Sequence, residues 1–159
     1  MIFISLGSQK FQFNRLLKAI DEQIESKKIT EEVFAQIGSS DYIPVNYAYK
    51  SFLNRDEFIK YIDKSDIVIT HGGTGAIIGA VKKGKKVIAV PRLAKYGEHV
   101  DDHQLQLIEQ FKELNLICDC INCNDIWKTI ELVKKTSYKT YQSNTNEIIN
   151  NIDYYLKGL

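Results

Sequence analysis

The run Glu98-His99-Val100-Asp101-Asp102-His103-Gln104 is the densest set of reactive side chains in the sequence. Glu98, His99 or Asp101 can take a proton from an attacking hydroxyl. His103 and Gln104, at the first turn of a helix, can bind sugar hydroxyls. Asp101 or Asp102 can cap that helix. His99 and His103 stand four apart with two carboxylates between them. The His-Glu-x-x-His order of a zinc helix is absent and no third ligand is evident, so no metal is expected. Arg92 precedes the run and can pair with one of its carboxylates or with a phosphate; either use fixes the loop.

A second stretch reads Thr70-His71-Gly72-Gly73-Thr74-Gly75. Gly72 to Gly75 at a helix start can offer free backbone N–H groups and the positive helix end to a diphosphate. Thr74 can add a hydroxyl. The same glycines also serve as an ordinary tight turn. The spacing is neither that of a dinucleotide fingerprint nor that of a Walker loop, which weighs against NAD binding and ATP hydrolysis. His71 can donate to a phosphate or its neighbouring sugar, or simply pack two turns together. Gly7-Ser8-Gln9 is a second possible nest, placed to close a cleft floor. Cys118, Cys120 and Cys123 lack the paired Cys-x-x-Cys spacing of a structural zinc site and read as buried thiols.

The elements that position these residues follow from hydrophobic period. Residues 2–6, 33–37, 67–69 and 87–90 are short apolar runs of strand type, and a further strand is expected around Val45 and another at Leu116-Ile117. Helices are expected over Phe11 to about Glu25, Asn54 to about Ile62, about Ala76 to Lys82, from Asp101 or Asp102 through Leu114, after Asn124-Asp125, and from about Glu147 to Leu156. Asn54 and Glu57 have capping-box spacing. Strands alternating with such helices make an α/β fold, a Rossmann-like parallel sheet with helices on both faces. Ligands of such sheets bind beyond the carboxyl ends of the strands, so Gly7, Gly38, Gly72-Gly73 and the Arg92–Gln104 loop should share one edge. The expected division is a domain over 1–135, followed by a Ser/Thr/Asn-rich arm and terminal helix over 136–159. That last segment either docks a partner or folds back on its own sheet.

At 159 residues and a net charge of +1, one domain is expected and a dedicated nucleic-acid binder is not. Lys82, Lys83, Lys85 and Lys86 form a local cluster, read as a solvated corner or a basic rim facing phosphate or anionic lipid. The start has no signal-peptide character and no apolar run approaches a membrane span, so a cytoplasmic chain without disulfides is expected.

Several motifs together resemble the C-terminal, donor-binding half of the GT-B glycosyltransferases of family 28. The markers are Ile2 to Gln9, Gln36-Ile37-Gly38, Ile69 to Gly75, Val90-Pro91-Arg92 and Gly97 to Gln104. The likeness extends to small subunits of bacterial capsule and exopolysaccharide synthesis and of the eukaryotic dolichol-linked GlcNAc transferase. The resemblance implies a catalytic subunit that binds a UDP-sugar, with galactose or glucuronate as the sugar. It implies inverting transfer to a lipid-diphosphate-linked saccharide. It also implies a membrane-associated partner that supplies the acceptor half and holds the chain at the inner face of the cell membrane. No cofactor is required, because helix N-termini and backbone N–H groups can stabilise the leaving diphosphate. The glycine turn Gly72 to Gly75 would approach the diphosphate. His103 and Gln104 fall where paired glutamines contact donor sugar hydroxyls, and only the second is Gln. Gly79 falls where a glutamate commonly holds the ribose, a departure for which Glu98 could substitute. That departure also admits a non-catalytic, partner-binding subunit with a decayed donor site.

Overall fold

Four strands, β1 (Ile2–Ser5), β2 (Val33–Gln36), β4 (Ile67–His71) and β5 (Lys86–Val90), are almost wholly buried runs rich in Ile, Val, Phe and Ala. Chains of this kind pair in parallel, because crossover helices cover both of their faces. The computed structural model describes residues 1–141 and 145–158. Its sheet is six-stranded, all parallel, in the order β3-β2-β1-β4-β5-β6, with β3 at Ala48–Lys50 and β6 at Cys118–Asp119. Order reverses at β1, between β2 and β4, so the connections leaving β1 and β4 diverge and open a crevice at the carboxyl edge.

The period-two pleat sorts the core. Ile2, Ile4, Leu6, Ile67, Ile69, Ile88 and Val90 face α1 (Asn14–Glu25) and α5 (Ile126–Lys135), whose Leu16, Leu17, Ile20, Ile126, Ile130 and Val133 complete that cluster. Val68, Val87 and Ala89 face the other way, onto Ile77, Ala80 and Val81 of α3 (Thr74–Lys82) and Ile108 and Phe111 of α4 (His103–Glu113). Phe3 and Phe34 pack on Ile62, Phe58 and Tyr61 of α2 (Arg55–Lys64). Helices thus cover both faces. The terminal helix α6 (Thr145–Lys157) lays Ile152 and Leu156 into the α3–α4 cluster, where Tyr141 also packs. Residues 142–144 of the expected arm, and the side chain of Ile148, lie outside the described residues.

Boundaries depart from expectation for local reasons. Helix α1 begins at Asn14 rather than Phe11, because the carbonyls of Phe11 and Gln12 are bound by Arg92 and the Phe13 N–H by the Ser40 hydroxyl. No strand forms around Val45, which is 82% exposed. The Asp21 carboxylate takes the N–H groups of Val45 and Asn46 and the Tyr42 hydroxyl, holding this stretch as a loop, and the strand comes later, at Ala48. The last ladder runs through Cys118 and Asp119, with Leu116 and Ile117 buried just before it, and Leu114 is exposed at the end of α4. The capping box of Asn54 and Glu57 forms in both directions.

The lysine cluster lies at the amino edge, beside a cavity of about 500 Å³ lined by Met1, Ser65, Asp66, Lys85, Lys86 and Lys134. Lys85 donates to the carbonyls of Asp63 and Ser65, and Lys86 to those of Val133 and Lys134. Both lysines therefore serve the open carbonyl ends of α2 and α5. Among the described residues no helix is long and apolar enough to cross a membrane.

Candidate functional site

The chemistry gathers at the carboxyl edge, opposite the amino-edge cavity. Leu6 leads out of β1 into Gly7, whose φ of +73° is left-handed backbone that glycine adopts freely. Gly38, after β2, sits so close that a Cβ there would lie 2.9 Å from the Gly7 carbonyl oxygen. Ser8, Gln9 and Lys10 stand exposed on the rim.

His71 closes β4, pairing with Val90 in the ladder, rather than following the strand. Its ring is wedged between the two turns. A Cβ on Gly7 would lie 2.8 Å from its Nε2, and one on Gly73 would overlap its Cε1. Both glycines are therefore vacated for the ring. Helix α3 starts at Thr74, earlier than expected, which puts Gly75 inside the helix. Gly73 is its N-cap and provides no side-chain cap, and no acidic residue stands in the first turn. The first N–H groups and the positive end of the helix are thus left without a capping side chain, an arrangement suited to an anion.

Gln104, in the first turn of α4, is 5% exposed and binds three segments together. Its Oε1 accepts from Gly72 N–H at 3.0 Å and from Arg92 N–H at 2.9 Å, and its Nε2 lies 3.3 Å from His71 Nδ1. A Cβ on Gly72 would come 2.6 Å from that of Gln104, so this turn too must be glycine for α4 to approach.

Arg92 is 1% exposed, and main-chain carbonyls hold its guanidinium. It donates to Leu6 at 2.7 Å, Phe11 at 3.1 Å and Gln12 at 3.0 Å, and lies over the Phe13 ring. The expected carboxylate partner is instead taken by Arg15: Glu98, fully buried, accepts from Arg15 Nε at 2.9 Å and from the Leu93 N–H. Arg92 fixes the Gly7–Phe13 loop and Arg15 fixes the Leu93–Glu98 loop. Arg15 escaped the sequence reading. No sequence pattern marked it, because its partner Glu98 lies 83 residues away. Phe11, whose ring centroid is 5.2 Å from that of His99, escaped it as well.

Asp101 Oδ1 stands 3.3 Å from His99 Nδ1 and 3.1 Å from His103 Nδ1, and accepts the His103 N–H. That backbone bond, ahead of the histidines' charge, holds the Asp101 carboxyl below the usual range. Asp102 takes the Ala94 N–H instead of capping its own helix. Burial raises the cysteine thiols, that of Cys123 to about 12, and no metal-holding cluster occurs among the described residues.

Burial, helped by the charge of Arg92, pushes His71 down to about 4. The unfolded ring titrates near 6.5, so between these values the unfolded chain binds the extra proton and stability falls with acid. Between pH 7 and pH 5 this one ring should cost the wild type about 2 kcal/mol. Urea unfolding of the wild type and His71→Asn across that range checks it: the wild type should carry the steeper acid slope, and equal slopes would refute it.

Gly79 stands exposed on α3, and a Cβ there would meet nothing within 4 Å. A glutamate would fit sterically. Gly79→Ala should raise thermal stability by about 0.5–1 kcal/mol, the helical cost of glycine. A loss of stability would show that this face is not free.

Comparison with known proteins agrees with this fold. The model of the glycosyltransferase family 28 C-terminal domain matches residues 1–154. The UDP-N-acetylglucosamine transferase subunit ALG13 of Candida albicans is 27% identical over 112 residues, 70% of this chain and 35% of that protein. Its Saccharomyces cerevisiae counterpart is 30% identical over 117 residues, 69% of this chain and 54% of that protein. The human one is 27% identical over 130 residues, 75% of this chain and 11% of that protein. The chain thus spans about half or less of these relatives. Their names concern N-acetylglucosamine transfer in eukaryotes and lend nothing to a bacterial capsule or exopolysaccharide role. Two crystal structures share the fold. The glycotransferase of kitacinnamycin has a TM-score of 0.61 at 14% identity, over 99% of this chain and 39% of its own. Acinetobacter baumannii MurG has a TM-score of 0.57 at 17% identity, over 84% of this chain and 41% of its own.

Proposed function

The chain belongs to the glycosyltransferase family 28 C-terminal domains, and from this we propose that it is the donor-binding, catalytic subunit of a split UDP-sugar transferase. The single observation that carries the reading is the carboxyl-edge knot of Gly7, His71, Gly72 and Gly73 at the uncapped start of α3. The diphosphate would rest on the N–H groups of Gly73, Thr74 and Gly75, with Ser8 and Gln9 across the crevice. The charge that develops on the leaving diphosphate would be met by these groups without a cofactor. Glu98 is enclosed by Arg15, so His99 and Asp101 are the better proton acceptors for the attacking hydroxyl. His103 is half exposed and near enough to Asp101 to face the sugar.

The acceptor would be a lipid-linked saccharide, held by a membrane-associated partner that supplies the other half of the site. The segment 136–159 is a candidate for docking that partner, and the chain would work in the cytoplasm at the membrane's inner face. The relatives' names favour N-acetylglucosamine as the sugar, whereas the likeness to polysaccharide subunits favours galactose or glucuronate.

Calorimetric titration with UDP, UDP-N-acetylglucosamine, UDP-galactose and UDP-glucuronate, alone and with the partner encoded beside it, tests the proposal. Saturable binding of one UDP-sugar above the others is expected. Failure to bind any, in the complex as well, would end this reading. Gly79 would then favour the second one, a non-catalytic partner-binding subunit.

A further inference from the structure

The carboxamide of Gln104 can be oriented by chemistry alone. One end lies within 3.0 Å of Gly72 N–H and 2.9 Å of Arg92 N–H. Backbone N–H groups only donate, so this end is the oxygen. The other end is therefore the NH₂, and it lies 3.3 Å from His71 Nδ1. An NH₂ also only donates, so Nδ1 must offer a lone pair. A neutral ring with a bare Nδ1 carries its proton on Nε2.

The surroundings agree. The charged and titratable groups that bear on the ring are Arg92 from the loop after β5 and His99 from the same loop, and both disfavour a second proton. The two turns that clasp the ring contribute only Gly7 and Gly73. Nε2 sits at the Gly7 turn, and among the described residues no side chain or carbonyl accepts from it.

We propose that Gln104 is a positioning residue: it locks His71 in the Nε2–H form, so that the crevice between the Gly7 and Gly73 turns meets an oxygen ligand with a neutral donor. The side chain of Gln104 is spent inside the protein and does not reach the sugar. The identity of the ligand as a nucleotide-sugar diphosphate rests on the function proposed above; the tautomer does not.

Long-range ¹H–¹⁵N correlation spectra of the labelled chain test the lock directly. From pH 5 to pH 8, His71 should show an unprotonated Nδ1 and a protonated Nε2. A proton on Nδ1, or a charged ring at pH 6, overturns the proposal. Gln104→Glu keeps the shape and the acceptor for Gly72 and Arg92 but offers His71 an acceptor instead of a donor. Its ring should take up an Nδ1 proton and titrate within that range; an unchanged tautomer overturns the positioning role. Should the variant fail to fold, the wild-type spectrum still decides.

Affinity for whichever UDP-sugar binds supplies the second readout, since such a diphosphate diester does not itself titrate between pH 5 and pH 8. In the wild type no change over this range should track the His71 ring, whereas in Gln104→Glu affinity should follow the His71 titration, changing on the order of tenfold. A wild-type affinity that follows a His71 titration overturns the lock. A correct tautomer without binding of any UDP-sugar upholds the lock and refutes the nucleotide reading instead.

Discussion

Arg92→Met should lower the unfolding free energy by about 4 kcal/mol, a large share of the stability of a domain this size. Three carbonyls, those of Leu6, Phe11 and Gln12, depend on one guanidinium. Each is worth about 1–3 kcal/mol when a buried partner is removed, and release of a buried charge offsets part of the loss. Burial already draws the Arg92 guanidinium down to about 10, a sign of how little solvent it sees. Methionine fills the volume over Phe13 and makes none of the bonds. Arg92→Lys separates charge from shape. A lysine restores the charge, but its ammonium cannot reproduce a planar fork addressed to three oxygens. Urea midpoints should therefore leave Arg92→Lys at least about 2 kcal/mol below the wild type. Recovery to wild-type stability by lysine would show that charge, not geometry, holds the Gly7–Phe13 loop.

Gly73→Val is expected to cost about 3 kcal/mol and to remove ligand binding at the turn altogether. The cost is steric. A Cβ on Gly73 overlaps His71 Cε1, and the ring cannot retreat, because Gly7 lies on its other side. The ring must leave its wedge, which strands the Gln104 NH₂ and reopens the space between the turns. Gly75 lies two residues on and a Cβ there meets nothing within 4 Å. Gly75→Ala is therefore the control for the steric cost alone, and it should fold as the wild type does. Unfolding curves and UDP-sugar titration of both variants make the test. Wild-type affinity in folded Gly73→Val would show that the turn is not the ligand's seat.

Much of this was legible in the residues. The β-branched runs at 67–69 and 87–90, the Asn54–Glu57 spacing and the glycines after β1, β2 and β4 specify a parallel sheet with its chemistry on one edge. Such signals are local, and periodicity carries them. The pairing of side chains across the crevice was not legible. Glu98 and Arg92 are near in sequence, yet Glu98 pairs with Arg15, which arrives from α1 on the far side of the Gly7 turn. The Asp21 carboxylate turns Val45 into loop through two N–H bonds that no propensity scale contains. Gln104 looked like a ligand-facing amide because it opens a helix. Its inward orientation depends on Gly72, which is bare enough to let α4 close in.

Helix α3 has nine residues and carries two exposed glycines, Gly75 and Gly79, within it. Each gives up about 1 kcal/mol of helix propensity relative to alanine. Its first turn should therefore open and close more often than the strands beneath it, and its amides should exchange with deuterated solvent sooner than those of β4 and β5. The helix start proposed to receive the diphosphate is thus less firmly held than the strands beneath it. An occupant would supply the missing rigidity, and its arrival should register as slowed exchange along α3 while the buried sheet stays as it was.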